Sequence, residues 1–137
     1  MAATEDLIHR ISGRMGRVPG LAAASVVLYG GTLGFYASGY VTNVTATGAN
    51  AFAGVIVDRV DNASGAAGDL PVELYHGDMS IWLNTSVITQ AHVGLPAYAV
   101  DNDTVSNVAT NNVKIGTIRE VKNGRVLVQL DVSPQSA

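Results

Sequence analysis

Valine occurs 19 times in this chain of 137 residues, beside 10 threonines and 7 isoleucines. These β-branched side chains lose rotamer freedom in helices but pack well on a pleated sheet. The runs that contain them are short, and clusters of glycine, asparagine, aspartate and serine separate one run from the next. The sequence therefore predicts an all-β fold, a small β-sandwich or barrel-like domain whose length suits a single core.

The pattern predicts eight strands, at residues 24–29, 34–40, 51–60, 70–75, 80–83, 96–100, 114–121 and 125–132. Asn123-Gly124 joins the last two as a type I′ hairpin loop, because both residues tolerate a positive φ. Counting back from this loop predicts four cross-strand pairs on the core side: Val121 with Val126, Arg119 with Val128, Thr117 with Leu130, and Ile115 with Val132.

Arg119 would then point inward, so we expect it at the rim of the core or paired with a carboxylate. The opposite, outward face of the hairpin would carry Glu120, Lys122, Arg125, Gln129 and Asp131, with Ile118 and Leu127 as its apolar members.

Trp82 is the only tryptophan, and its position in the strand pattern predicts where it points. Alternation places Met79, Ile81 and Leu83 on one side of the strand and Ser80, Trp82 and Asn84 on the other. Trp82 therefore points away from the more apolar side. Two interpretations remain open, an interface anchor and a side chain packed under a loop.

Residues 18–57 contain no charged side chain, which raises the question of a membrane helix or an export signal. Several glycines and many polar residues interrupt the stretch, and Glu5 and Asp6 are unsuited to the positive leader of a signal peptide. We expect strands buried on both faces and no membrane partner.

Residues 1–20 are predicted to form a short N-terminal helix or arm, ahead of a single β domain at residues 21–137. Thr4 suits an N-cap, and the apolar stripe consists of Leu7, Ile8, Ile11 and Met15. A helix of about 11 residues is marginal alone in water. It would need an apolar surface, either on its own sheet or on a neighbouring subunit.

Charged residues make up 14% of the chain and apolar residues 47%, which indicates that some of the surface meets another chain. The net charge of −3 provides no overall basic field for nucleic-acid binding. Within that total, residues 1–17 carry a net charge of +1 and the remainder −4.

No catalytic, metal or cofactor site is predicted. The chain has no cysteine, and its three histidines lie in separate segments without the spacing of a metal site. Residues 101–104 offer the oxygen ligands that calcium prefers, but the glycine and glutamate of a calcium loop are replaced by Ser106 and Asn112. A β-turn is the better interpretation of this segment, and no group of nucleophile, base and orienting residue indicates an enzyme.

Three segments of the C-terminal half have a recognisable order: LPAYAVDNDTV at residues 95–105, VKIGTIREV at 113–121 and GRVLVQL at 124–130. They resemble the C-terminal half of bacteriophage capsid decoration (head cement) proteins, where a polar turn joins a Tyr-containing strand to an Ile-Gly-x-x-x-Glu strand and a Val-Leu-Val-x-Leu strand follows. AGVIV at 53–57 and GDLPV at 68–72 fit the same pattern, so the resemblance covers about residues 45–132.

The resemblance implies a structural virion protein, made in the bacterial host cytoplasm, that sits on the outer surface of a tailed-phage capsid. It would bridge copies of the major capsid protein, commonly as a homotrimer, and stabilise the expanded shell. The assembly contacts expected on this basis are Leu7, Arg10, Ile11, Arg14, Met15 and Arg17, with Trp82 second.

A phage tail, baseplate or fibre-associated β module is the alternative, because it would share this composition and would trimerise without binding the head. A ligand-binding β domain would show clustered exposed aromatic side chains, whereas the five tyrosines here are scattered.

Overall fold

The computed structural model describes residues 16–77 and 79–130. Within these ranges the chain is almost entirely β-structure, which confirms the all-β prediction, and the one helical element is a 3₁₀ turn at Gln90–His92. The strands are β1 Gly16–Leu21, β2 Val26–Leu28, β3 Leu33–Ala37, β4 Tyr40–Thr42, β5 Ala51–Ile56, β6 Val60–Asn62, β7 Pro71–His76, β8 Ser80–Asn84, β9 Pro96–Ala99, β10 Val105–Ser106, β11 Val113–Lys122 and β12 Arg125–Leu130. None of the described residues belongs to a helix long and apolar enough to span a bilayer.

The strands form two five-stranded antiparallel sheets and one two-stranded ribbon. The N-terminal sheet has the strand order β1-β7-β5-β3-β4, and the C-terminal sheet has the order β10-β9-β11-β12-β8. The ribbon pairs β2 with β6. A main core between the two large sheets contains side chains from both, which makes the domain a β-sandwich.

The main core is built around aromatic and branched side chains. Phe35 and Phe52 lie on neighbouring strands of the N-terminal sheet, with ring centroids 6.2 Å apart and planes tilted by 58°. Opposite them the C-terminal sheet contributes its own buried residues: Ile81, Leu83, Ala97, Ala99, Ile115, Ile118, Val126, Val128 and Leu130.

A second core lies on the other face of the N-terminal sheet, beneath the β2–β6 ribbon. It contains Ala22, Val26, Leu28, Val41, Ala53, Ile56, Val72 and Leu74. The N-terminal sheet is therefore the middle layer of three and is covered on both faces. This arrangement confirms the expectation of strands buried on both faces for β3 and β5, since charged side chains on a doubly covered sheet would be buried without water. The edge strand β1, by contrast, is largely exposed.

The C-terminal hairpin has the predicted turn but a different register. Asn123 and Gly124 adopt φ values of 52° and 77°, as a type I′ loop requires. Val121 pairs with Val126 as predicted, but a bulge between Ile118 and Glu120 leaves the intervening residue without a cross-strand partner.

The predicted pairs of Arg119 with Val128 and of Thr117 with Leu130 are therefore wrong. Ile118, rather than Arg119, pairs with Val128, and it is fully buried in the main core. Arg119 is exposed, and its Nε donates a hydrogen bond to Gln129 Oε1 at 2.8 Å instead of meeting a carboxylate at the core rim. Thr117 faces outward opposite Gln129, and Val132 lies outside the described residues.

The N-terminal prediction is described only in part. Residues 16–20, which we assigned to the arm, belong to β1, and this strand pairs along its whole length with β7 at the sheet edge. The predicted helix lies outside the described residues, as do five of the expected assembly contacts: Leu7, Arg10, Ile11, Arg14 and Met15.

Candidate interaction surface

The outer face of the C-terminal sheet is the surface that turns away from the main core, and we call it the basic face. Side chains alternate along its strands, so every second residue of β8 and β12 points outward and the intervening ones are buried. Its central members on β8, β12 and β11 are Ser80, Trp82, Asn84, Lys114, Thr117, Arg119, Glu120, Lys122, Arg125, Leu127 and Gln129.

Trp82 lies on β8 at the edge of the basic face. Its neighbours Ile81 and Leu83 are buried in the core, which confirms the predicted outward direction of the indole. It pairs in register with Leu127 on β12, and both side chains are half-buried. An open depression of about 320 Å³ beside the indole is lined by Trp82, Lys122, Asn123 and Arg125.

The positive charges of the described residues are concentrated on this face. The face carries four of the six lysines and arginines in the described ranges: Lys114, Arg119, Lys122 and Arg125. Glu120 is the one carboxylate among the central members of the face named above. The bulge adds to this concentration because it turns Arg119 outward towards Gln129. The members named above thus carry a net charge of +3 in a chain whose net charge is −3, and Asp103, whose carboxylate accepts a hydrogen bond from the Asn84 side chain, adjoins them at the rim of the face.

Lys122 and Arg125 are cross-strand partners on either side of the Asn123-Gly124 turn. Like charges directly opposite one another destabilise a sheet. Neither has a carboxylate within 4.0 Å among the described residues, where the one ion pair joins Arg17 to Glu73. No carboxylate of the described residues therefore neutralises the repulsion between Lys122 and Arg125.

Arg17, the expected assembly contact that the structure describes, lies in a different sheet from Trp82. It extends from β1, forms an exposed ion pair with Glu73 at 3.2 Å and places its guanidinium 5.5 Å from the ring centroid of Tyr75. Exposed pairs of this kind contribute little to stability. The structure does not bring Arg17 and Trp82 together, and the role of each as a contact remains a prediction.

Exposed apolar side chains form a second surface beside β1. Leu21 and Leu70 are 47% and 37% exposed, and the backbone around them is joined by a hydrogen bond from Ala22 N to Leu70 O. A Cβ built on Gly68, two residues before Leu70, would lie 3.4 Å from the Tyr40 ring and 4.0 Å from Leu21. These leucines and Tyr40 therefore surround one small apolar area.

The loop at residues 101–104 connects the two sheets. Asp101 Oδ1 accepts hydrogen bonds from the backbone N–H groups of Asp103 and Thr104, and Leu33 N and Asn84 N donate to carbonyls of the loop. Asp101 thus serves its own turn, as the sequence indicated. The described residues contain no group of three or more histidine or acidic side chains placed to hold a metal.

Asp103 in this loop gives a pH-dependent prediction. Partial desolvation raises the pKa of the Asp103 carboxyl and the neighbouring Asp101 adds to the rise, although hydrogen bonds from Thr104 and Asn84 oppose it. A carboxyl with a raised native pKa binds its proton more tightly in the folded state, so stability falls as pH rises from the unfolded pKa through the native pKa. Asp103→Asn is therefore expected to raise the unfolding temperature at pH 7.

The gain from Asp103→Asn should shrink as the pH is lowered, because the wild-type carboxyl then becomes neutral as well. Thermal unfolding between pH 3 and pH 7 measures it. Asp58→Asn, at an exposed position near the β2–β6 ribbon, makes the same change of charge and serves as the control. A destabilised Asp103→Asn variant at pH 7 would contradict the assignment.

No protein-family model matches the chain, and no curated protein is significantly similar to it.

The strand pattern predicts an outward Trp82 but does not indicate the basic face around it. The hairpin pattern had already placed Lys122 and Arg125 on the outward side. Counting the charges on that side alone, rather than over the whole chain, was the signal that could have identified the face. Arg119 could not have been added, because its direction depends on the bulge.

Proposed function

We propose that this protein is a structural, non-enzymatic virion component that binds the outer surface of a tailed-phage capsid. In this proposal it bridges neighbouring copies of the major capsid protein and stabilises the expanded shell. It acts as a homotrimer after synthesis in the cytoplasm of the bacterial host, and it has neither a nucleic-acid nor a membrane partner.

One observation carries the proposal. The three segments that resemble capsid decoration proteins fall on β9, β10, β11 and β12, which are four contiguous strands of one sheet. The two further segments that fit the pattern, residues 53–57 and 68–72, overlap β5 and the start of β7 in the N-terminal sheet. The C-terminal sheet presents the basic face, so the three segments that suggest the function also build an exposed surface for binding.

The surface around Leu21, Tyr40 and Leu70 supports the self-association part of the proposal. Its exposed apolar side chains adjoin the edge strand β1, and an apolar area beside an edge strand is a suitable contact between copies. In a closed trimer every contact is heterologous, so this surface would meet a different patch of the next copy at each of the three contacts.

The mechanism is thermodynamic. A protein that binds the expanded shell more tightly than the unexpanded shell, or than free capsid subunits, shifts the equilibrium towards the expanded state in proportion to that difference. Each contact can be weak, because many copies act on one particle.

The decisive experiment mixes the purified protein with expanded, undecorated heads of its source phage. Co-sedimentation gives the number of copies bound per major capsid protein, and calorimetry gives the melting temperature of the heads. We expect saturable binding at about one copy or fewer per capsid protein, with a raised melting temperature. Light scattering of the free protein tests the trimer separately.

Failure to bind intact heads would overturn the proposal. Binding to isolated tails, baseplates or fibres in the same assay would then support the alternative tail-associated module. Heads of an unrelated phage serve as the control for non-specific adhesion.

A further inference from the structure

We propose that the basic face is the docking surface and that its partner is an acidic protein surface. Carboxylates of the partner would meet Lys122, Arg125 and Arg119, and an apolar group would rest on Trp82. This inference rests on the proposed function in one respect, because it places the acidic partner surface on the capsid shell.

Lys122 and Arg125 are like charges that face each other across the hairpin. Sequences that specify one fold place opposite charges in cross-strand pairs, and a local violation of that rule is expected at functional positions. A carboxylate bound between the two side chains would neutralise the repulsion, and arginine binds carboxylates with two parallel hydrogen bonds. The free protein therefore carries an unfavourable interaction that an acidic partner removes.

Trp82 lies next to these two cations. The indole and the half-buried Leu127 lie side by side on a face that is otherwise polar, and the indole lines an open depression together with Lys122, Asn123 and Arg125. Tryptophan and arginine are the residue types most enriched among the energetically dominant contacts of protein interfaces.

The two outer sides of the three-layer domain carry opposite charge. Beyond the N-terminal sheet, the outermost β2–β6 layer and its loops carry Asp58, Asp61 and Asp69 against Arg59 alone. That side is acidic, whereas the basic face is cationic on the opposite side of the sandwich. A partner with an acidic surface would be attracted to one side of the molecule and repelled by the other, which fixes the orientation of docking.

The arrangement favours an acidic protein surface over a nucleic acid. Single-stranded nucleic acids bind along a basic groove on successive stacked bases, which requires aromatic side chains spaced along the path. The next aromatic on this face is Tyr98, and the strand order places β11 and β12 between it and Trp82. One indole with adjacent cations suits a single anchor within a protein interface.

The test uses Lys122→Glu and Arg125→Glu, with Arg59→Glu as the matched control. Arg59 lies on the opposite, acidic side, where its guanidinium is 5.3 Å from the ring centroid of Tyr29. In the head-binding assay at low salt, the double variant at Lys122 and Arg125 should lose at least about tenfold in affinity, and Arg59→Glu less than about twofold. Raising the ionic strength from about 0.05 M to about 0.5 M should weaken binding of the wild type more than that of the double variant.

A stability measurement separates docking from damage to the fold. Lys122→Glu turns a repulsive cross-strand pair into an attractive one, so the unfolding temperature of the free protein should rise by about 1–4 °C while affinity for the heads falls. Substitution of a residue with a purely structural role would change the unfolding temperature and the affinity for the heads in the same direction. Wild-type affinity in the double variant would overturn the inference and leave the proposed function intact.

A second probe decides the question even if the wild type does not bind heads. Trp82 is the only tryptophan, so its fluorescence in the free protein reports binding at the basic face. Titration with poly-L-glutamate should change the emission in the wild type and in Arg59→Glu but not in the double variant. A response to single-stranded oligothymidylate without one to poly-L-glutamate would overturn the inference in favour of a nucleic acid.

Discussion

Phe35→Ala is expected to lower the free energy of unfolding by about 3–5 kcal/mol. Phe35 is the largest of the fully buried side chains in the described residues, and it packs against Phe52 between the two sheets. Truncation to alanine removes the burial of the ring and leaves a cavity that strands on both sides cannot close without shifting. A domain of this size is stabilised by about 5–15 kcal/mol, so the loss is a large share of the total.

Equilibrium unfolding in urea measures this effect, and two variants act as controls. Phe35→Leu keeps most of the apolar volume and should cost less than half as much. Val44→Ala removes apolar atoms from a side chain that is 53% exposed and should change stability by less than about 0.5 kcal/mol. A loss of under about 1.5 kcal/mol for Phe35→Ala would mean that the two sheets do not share a tightly packed core around this ring.

The strand pattern could be predicted where a local rule determines the conformation. The turn at Asn123-Gly124 is local, because only residues that tolerate positive φ form a type I′ loop, and the observed φ values agree. The direction of Trp82 follows equally from alternation within one short strand. These predictions needed no knowledge of any distant part of the chain.

The register of the hairpin beyond Ile118 could not be predicted in the same way. A bulge adds one residue to one strand and exchanges the inward and outward sides for every residue that follows. Thr117 and Ile118 indicate that the predicted register is unfavourable, because it buries the threonine and exposes the isoleucine. Burial of Ile118 is more favourable than burial of Arg119, and the bulge allows it.

Short strands were missed or merged for a related reason. The predicted strand at 51–60 is divided into β5 and β6, which belong to different layers, and β10 has only two residues. Each of these elements is defined by its cross-strand partner rather than by its own composition. Their assignment depends on long-range pairing, which a pass along the sequence does not contain.

The basic face shows how the fold creates a site that no short motif encodes. Lys114 lies near the start of β11, and Lys122 and Arg125 lie at the hairpin turn. Trp82 comes from β8, about 40 residues earlier in the chain, and reaches the face only because β8 pairs with β12. Whole-chain net charge conceals such a surface, because Asp58, Asp61, Asp69 and Glu73 lie in other layers and offset its charge in the total.

Gly54→Ala is expected to destabilise the domain by more than about 3 kcal/mol. Gly54 lies in β5 at the centre of the N-terminal sheet and has a φ of +142°, where residues with a side chain are strained. A Cβ at this position would lie 2.5 Å from the carbonyl oxygen of Tyr75 on β7. Because that oxygen belongs to the backbone of the neighbouring strand, the clash can be relieved only by moving the strands apart.

Gly39→Ala separates the two contributions to this effect. Gly39 also has a positive φ, at +85°, but a Cβ built there meets no atom within 4 Å. Gly39→Ala should therefore lower the free energy of unfolding by about 1–2 kcal/mol, through the backbone conformation alone. The additional loss in Gly54→Ala then measures the steric clash within the sheet. Urea unfolding of both variants provides the comparison, with the yield of soluble protein as a second readout. Equal losses in the two variants would show that β5 and β7 can separate at little cost, and the N-terminal sheet would then not be the rigid middle layer on which both cores depend.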